Sequence, residues 1–169
     1  MIIQANHEHA QEILNIFRAS TKTMLKAGIG QWHYDYPVLS HIQSDIQEGR
    51  CFLWMENTIL GAITINQDQD DQYNNVEWQF ASDAVWVIHR LAVHPDAQGK
   101  RIATSLCRFA EKFASKNGGD VIRLDAYAGN PSSNALYHKL GYSLANGYCY
   151  FHGNELPFNC YEISIKNKN

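Results

Sequence analysis

The sequence predicts an α/β (α+β) protein with a mixed sheet of about seven strands and helices on both faces. Three observations carry this. Short apolar or alternating runs recur at Met1–Ala5, Cys51–Met55, Ile59–Ile65, Ala84–Val93, Val121–Ala126, Tyr142–Phe151 and Phe158–Ile165. Segments of helical period separate most of them. Helices alternate with strands first, and a strand pair closes the chain. At 169 residues the chain is expected to form one domain over 1–169, large enough for a real core.

Each element has its local reason. Asn6 suits a helix N-cap, and Ala10, Ile13, Leu14, Phe17 and Ala19 recur at helical spacing up to Lys26, where Ala27-Gly28 stops the helix. His7 and His9, two apart, point in different directions on a helix and are surface residues rather than a metal pair. Gly28–Pro37 holds Trp32, His33, Tyr34 and Tyr36 in a loop, where rings either line a pocket or pin the loop to the core. His41–Glu48 is a short helix ending at Gly49. Glu56-Asn57-Thr58 is the turn between two strands. The acidic stretch Asn66–Asn75 lacks the spacing of a calcium loop and is expected to be solvated. Val76, Trp78 and Phe80 alternate with polar residues, which suits a half-buried extended segment. A long helix is expected from about Gly99 to Lys116, with Ile102, Leu106, Phe109, Ala110 and Phe113 as its apolar stripe. Asn130, Pro131 and Gly141 are the N-cap, first residue and stop of another helix. The tail, residues 166–169, is expected to fray.

Composition removes several classes of function. Hydrophobic residues make up 45% of the chain and aromatics 12%, which is globular rather than disordered material. The formal net charge of -3, with no long basic run, argues against a nucleic-acid partner. No apolar stretch approaches the roughly 20 residues of a membrane helix. The start, Met1-Ile2-Ile3-Gln4, lacks the features of a signal peptide, so a cytoplasmic setting is expected. Cys51, Cys107, Cys149 and Cys160 form no C-x-x-C pair, so no metal is expected and buried free thiols are the reading.

The chemistry concentrates between Val87 and Gly141. The run Ala84–Val93 stops at His94-Pro95-Asp96, and Gln98-Gly99-Lys100-Arg101-Ile102-Ala103 opens the long helix. A helix N-terminus presents unpaired N–H groups and the positive end of the dipole, so it accepts anions, phosphate above all. Gly99 permits close approach, and Lys100 and Arg101 add charge. Taken alone, the same residues also suit a plain turn with a solvated face.

The pair of segments Val93–Leu106 and Asn130–Tyr142 resembles the two signatures of the GNAT N-acetyltransferases. The first is similar to the acetyl-CoA pyrophosphate loop, Q/R-x-x-G-x-G/A; the second is similar to the N-P-x-A-x-x-L-Y-x-K-x-G-F/Y helix. They follow the family's order and spacing over about a third of the chain. Arg101 stands where the loop usually has its first glycine. The resemblance implies a mostly antiparallel sheet and acetyl-CoA as co-substrate. It implies cofactor contacts from Leu91, Ala92 and Val93, from Gln98 through Thr104 (Gly99, Lys100, Arg101, Ile102 and Ala103 included), and from Asn130 and Ser133. It also places the loop of Trp32, Tyr34 and Tyr36 against the acceptor.

Transfer of an acetyl group to an amine needs a neutral nucleophile, yet an alkylammonium has a pKa of about 10.4 and is almost wholly charged near neutrality. A base is therefore useful. The resemblance makes Tyr137 the acid that protonates the leaving thiolate, seven residues and two helical turns from Asn130. His89, on the strand where relatives carry a glutamate, is the nominated base, with Glu77, His33 and His138 as rivals. The expected partner is a primary amine, preferably small. A peptide or protein amine, or an acyl-CoA sensor without catalysis, are the alternatives, and the protein is expected to be a monomer or homodimer.

Overall fold

The computed structural model describes residues 1–166, so the tail beyond residue 166, read as fraying, lies outside the described residues. In chain order the elements are β1 (Ile2–Gln4), α1 (Ala10–Lys26), α2 (Leu39–Gln47), β2 (Cys51–Met55), β3 (Ile59–Asn66), β4 (Val85–Val93), α3 (Ile102–Lys116), β5 (Val121–Tyr127), α4 (Pro131–Leu140), β6 (Ser143–Cys149) and β7 (Phe158–Ser164). Among the described residues seven strands form one mixed sheet in the order β1-β2-β3-β4-β5-β7-β6. β4 and β5 run parallel, and the β1–β2, β2–β3, β5–β7 and β6–β7 pairs are antiparallel. The chain divides into two compact units, Met1–Ile65 with Arg90–Phe109, and Asn66–His89 with Ala110–Asn169.

The first unit is built on a helix with a polar insertion in its apolar stripe. Asn6 caps a single 3-10 turn, His7–His9, by accepting from the Glu8 amide, while His9 Nδ1 accepts from the Asn6 amide. α1 then buries Ala10, Ile13, Ile16, Phe17, Ser20 and Thr21. The stripe is centred differently from the one hydrophobicity suggests: Ile16 is inside, while Leu14 and Ala19 are half-buried. The reason is visible at Ser20, whose hydroxyl donates to the Val93 carbonyl at 3.2 Å, so a polar side chain is accommodated on the inner face. Against α1 pack Ile42, Leu53, Ile59, Ala62 and Ala92. Fully burying side chains such as Ile13 and Leu53 contributes about 1.5–3 kcal/mol each.

The second unit is organised by β5, which lies between β4 and β7. The β4–β5 ladder runs from Val85 with Val121 to Ile88 with Leu124. β5 continues beside β7 as far as Tyr127 with Phe158. The segment of residues 67–84 meets β5 and β7 through Tyr73 and Gln79. The sequence reading of Asn66–Asn75 as a solvated loop is correct for residues 67–71, which are exposed, and wrong for Tyr73, which is 3% exposed in a 3-10 turn spanning Asp71–Asn75. Residues 76–80 form no strand; a single bridge joins Glu77 to Asn146. The segment is held instead by a charge. Glu162, wholly buried on β7, accepts from the amides of Gln79 and Phe80, and Arg123 lies over the Trp78 ring at 4.3 Å. These contacts are between residues far apart in sequence, which no local pattern announces.

The free cysteines Cys51, Cys107, Cys149 and Cys160 are all buried. Desolvation, reinforced by Asp45, pushes the Cys51 thiol up to about 12. Iodoacetamide at neutral pH is therefore expected to leave Cys51 unlabelled in the native protein and to label it in urea, as peptide mass spectrometry can show; native labelling would contradict the burial.

Candidate active site

In the first unit, β4 ends at Val93, and the chain turns through a 3-10 turn at Pro95–Ala97 before α3 begins. The His94 side chain closes that turn by accepting from the Asp96 amide at 3.3 Å. Gln98, Gly99, Lys100 and Arg101 are all exposed. Gly99 has φ 79° and Arg101 φ 62°. Two left-handed residues so close together cannot belong to an α-helix, and α3 accordingly starts at Ile102, three residues after the expected start at Gly99. The loop thus turns its backbone just before the helix N-terminus, where amides are free of intrahelical partners and an anion is favoured. Ile102 is buried, and Ala103 and Thr104 are half-buried on the first turn.

Arg101 occupies, with a side chain, a backbone conformation suited to glycine. The strain of a left-handed residue is about 1 kcal/mol, and a β-branched residue there fares worse. We expect Arg101→Val to lower stability by about 1–2 kcal/mol and Arg101→Gly to leave it unchanged or slightly higher, measured as urea midpoints. Equal losses in both variants would contradict the backbone argument.

The same unit holds the aromatic loop. Trp32 is 8% exposed and packs on Phe17 with ring centroids 5.1 Å apart, so its ring belongs to the core and anchors the loop. Tyr34 and Tyr36 are exposed, and Arg18 lies over the Tyr34 ring at 5.7 Å. Arg90 of β4 donates to the Tyr36 hydroxyl at 2.8 Å. Its other nitrogens grip Asp45 of α2, Nη2 to Oδ1 at 2.6 Å and Nε to Oδ2 at 3.1 Å. Thr64 Oγ1 donates to the same carboxylate at 3.0 Å. Asp45 is 6% exposed, so this is a buried bidentate pair that fixes the helix, the strand and the aromatic loop together. Neither Asp45 nor Arg90 stands out in the sequence.

In the second unit, α4 follows its expected signals. Asn130 Oδ1 accepts from the Ser133 amide at 3.2 Å, Pro131 begins the helix, and Gly141 at φ 89° ends it. The Ser133 hydroxyl donates to the Asn130 carbonyl at 3.1 Å. Tyr137 is 6% exposed and sits among Tyr142 and Tyr161, with centroids 5.7 and 5.9 Å away. On β4, His89 is exposed and its Nε2 lies 2.6 Å from Asn66 Oδ1. That oxygen also accepts from the Asp68 amide at 2.7 Å, so the imidazole Nε2 is the donor.

The sequence reading passed over an acid on β5: Asp125 follows Leu124, the last β5 residue in the ladder with β4. Tyr73 donates to Asp125 Oδ2 at 2.7 Å. Burial pushes the Asp125 carboxyl up from 3.8 to about 6, against the lowering effect of the Tyr73 hydrogen bond, with Asp70 adding to the rise. The native state therefore holds this proton more tightly than the unfolded chain does. Its contribution to stability falls as pH rises from about 4 to about 6 and is flat above. Asp125→Asn is expected to flatten that slope, measured as urea midpoints between about pH 4 and about pH 7; an unaltered slope would show that another group sets it. The signal available in the sequence was a lone acid inside the apolar run Val121–Ala126.

This geometry, an exposed turn before a helix and an Asn-Pro helix with a buried tyrosine, coincides with a family match. The profile of the acetyltransferase (GNAT) family matches residues 11–142. The chain belongs to the GNAT acetyltransferase family. Solved structures agree on the fold of this GNAT protein. A Staphylococcus aureus Mu50 chain assigned as an acetyltransferase is 26% identical, with a TM-score of 0.76 over 98% of this chain and 99% of that one. A GNAT family acetyltransferase of Streptococcus agalactiae has a TM-score of 0.84 at 19% identity, covering 97% and 94%. The PaiA N-acetyltransferase of Thermoplasma acidophilum, solved in complex with coenzyme A, has a TM-score of 0.72 at 17% identity over 97% and 98%. No match was found among curated proteins. No helix among the described residues is long and apolar enough to cross a membrane.

Proposed function

We propose that this GNAT protein moves an acetyl group from acetyl-CoA to a small primary amine by direct attack. The observation that carries the reading is the exposed turn Gln98–Arg101 ahead of α3, with left-handed backbone at Gly99 and Arg101 and two cationic side chains. It suits the pyrophosphate of CoA, and the Thermoplasma relative's coenzyme A complex supports the same ligand. The amides of Leu91 to Val93 would polarise the thioester carbonyl, as donors aimed at a developing oxyanion do. When bound, acetyl-CoA supplies the activated acetyl group; the protein's residues orient it and move protons.

Tyr137 is the proposed acid. A phenol with a pKa of about 10 can protonate a thiolate whose conjugate acid lies at about 8.5. His89 is the nominated acceptor of the amine's proton. Tyr34 and Tyr36, exposed and braced by Arg18 and Arg90, are the proposed wall for the acceptor, with Trp32 as their anchor. The test is thiol release from acetyl-CoA across a panel of aliphatic amines, aromatic amines and basic peptides. The reading expects turnover with a small amine. Turnover confined to peptides would move the acceptor class, and binding without any turnover would make the protein a sensor.

A further inference from the structure

Two tyrosines of the aromatic loop each carry an arginine, and the two arginines differ in one respect. Arg90, which donates to the Tyr36 hydroxyl, is neutralised by its bidentate grip on Asp45. Arg18 of α1 lies over the Tyr34 ring, 5.7 Å from its centroid, and no carboxylate among the described residues pairs with it. The positions three and four residues away along α1 are Leu14, Asn15, Thr21 and Lys22; none is acidic and one is cationic. Asp35, next to Tyr34 in the chain, is exposed and makes no ion pair among the described residues. Arg18 is thus a half-buried cation without a counter-charge, and such a charge is costly to keep.

Unsatisfied polar atoms gather in the same part of the chain. In the first unit, the buried side-chain atoms with no hydrogen-bond partner among the described residues are Arg18 Nη1, Thr21 Oγ1 and His33 Nε2. Arg18 and Thr21 are three apart on α1 and therefore neighbours on its surface, and His33 precedes Tyr34. Thr21 is wholly buried, and its hydroxyl does not make the bond to the carbonyl four residues back that a helical threonine often makes. Native proteins keep few such groups, because each forfeits its hydration without a return. Here a guanidinium, a hydroxyl and an imidazole are left over on one helix and the loop that follows it. All three side chains can donate, so an anion suits them, and a planar guanidinium fork fits a carboxylate.

We propose that the acceptor is an amine of the amino-acid class, whose carboxylate is seated on Arg18 beside Tyr34. The inference rests on the acetyl-transfer reading above, which makes the loop of Tyr34 and Tyr36 the acceptor's wall. The carboxylate accepts from the guanidinium fork and gives Arg18 the counter-charge that Asp45 gives Arg90. Lys22, exposed one helical turn further on, adds attraction from the rim. An acceptor held by its carboxylate is also fixed in orientation, which turns its amine one way relative to the loop. An amine without the carboxylate leaves Arg18 unneutralised, so the site selects by charge as well as by size.

The experiment measures kcat/KM by thiol release from acetyl-CoA for matched acceptors: the common amino acids, their carboxamides, and the amines that lack the carboxyl group. Wild type, Arg18→Gln and Arg18→Lys are compared, with calorimetric acetyl-CoA binding and a melting curve for each. Wild type should favour its best amino acid over the matching carboxamide by about 100-fold. Arg18→Gln should cut that ratio to about threefold, and Arg18→Lys to about tenfold because an ammonium offers no fork. Wild type that turns over carboxamides or plain amines as well as the acids overturns the inference and leaves acetyl transfer standing. So does a ratio that Arg18→Gln leaves unchanged. Loss of acetyl-CoA binding in a folded Arg18→Gln variant assigns the cation to a phosphate of the cofactor and also overturns it. If Arg18→Gln does not fold, Arg18→Lys decides, and a ratio equal to that of wild type contradicts the proposal. Wild type that releases no thiol with any acceptor overturns both readings.

Discussion

Replacing Tyr137 by Phe should lower turnover about 100-fold and leave acetyl-CoA binding within twofold. The substitution keeps the ring that packs on Tyr142 and Tyr161, and removes only the hydroxyl. Loss of a hydroxyl costs a buried site about 1 kcal/mol, so the fold should persist. Single-turnover thiol release with calorimetry of the same sample separates the two effects. Unchanged turnover would assign Tyr137 to the aromatic cluster alone, whereas turnover and binding lost together would point to damage of the fold.

The second large effect concerns stability. Asp45→Ala leaves the guanidinium of Arg90 largely buried without its counter-charge, and removing one member of a buried pair costs about 3–5 kcal/mol. For a chain of this size the melting temperature should fall by about 10 °C. The double replacement Asp45→Leu with Arg90→Met removes both charges and should recover much of that loss, because the desolvation cost of the pair disappears with its attraction. The two measurements form a cycle with Arg90→Met. An additive outcome would mean that the pair contributes little. Because Arg90 also holds the Tyr36 hydroxyl, the double variant should weaken acceptor affinity even where it restores stability.

The parts of the fold legible in the sequence are those that short-range physics decides. The Asn130, Pro131 and Gly141 signals mark α4 to the residue, because capping and left-handed stops are local. β4 was visible as a mostly apolar run interrupted only by His89 and Arg90. The start of α3 was misplaced because Arg101, a residue that ordinarily favours helix, adopts a left-handed backbone here. Trp32 could be read as wall or anchor, and only Phe17 of α1 decides for anchor. The two most consequential polar groups, the Asp45–Arg90 pair and Tyr73 with Asp125, join residues 45 and 52 positions apart. Periodicity carries no information at that range, although an acid inside an apolar strand was a visible anomaly. The turn Gln98–Arg101 was legible because it is made of consecutive residues.

The most direct measurement is isothermal titration of acetyl-CoA into the protein at low and high salt. The account predicts saturable binding to one site per chain, weakening as salt rises because Lys100, Arg101 and the amides ahead of α3 meet a charged pyrophosphate. Absence of saturable binding at millimolar acetyl-CoA would contradict it.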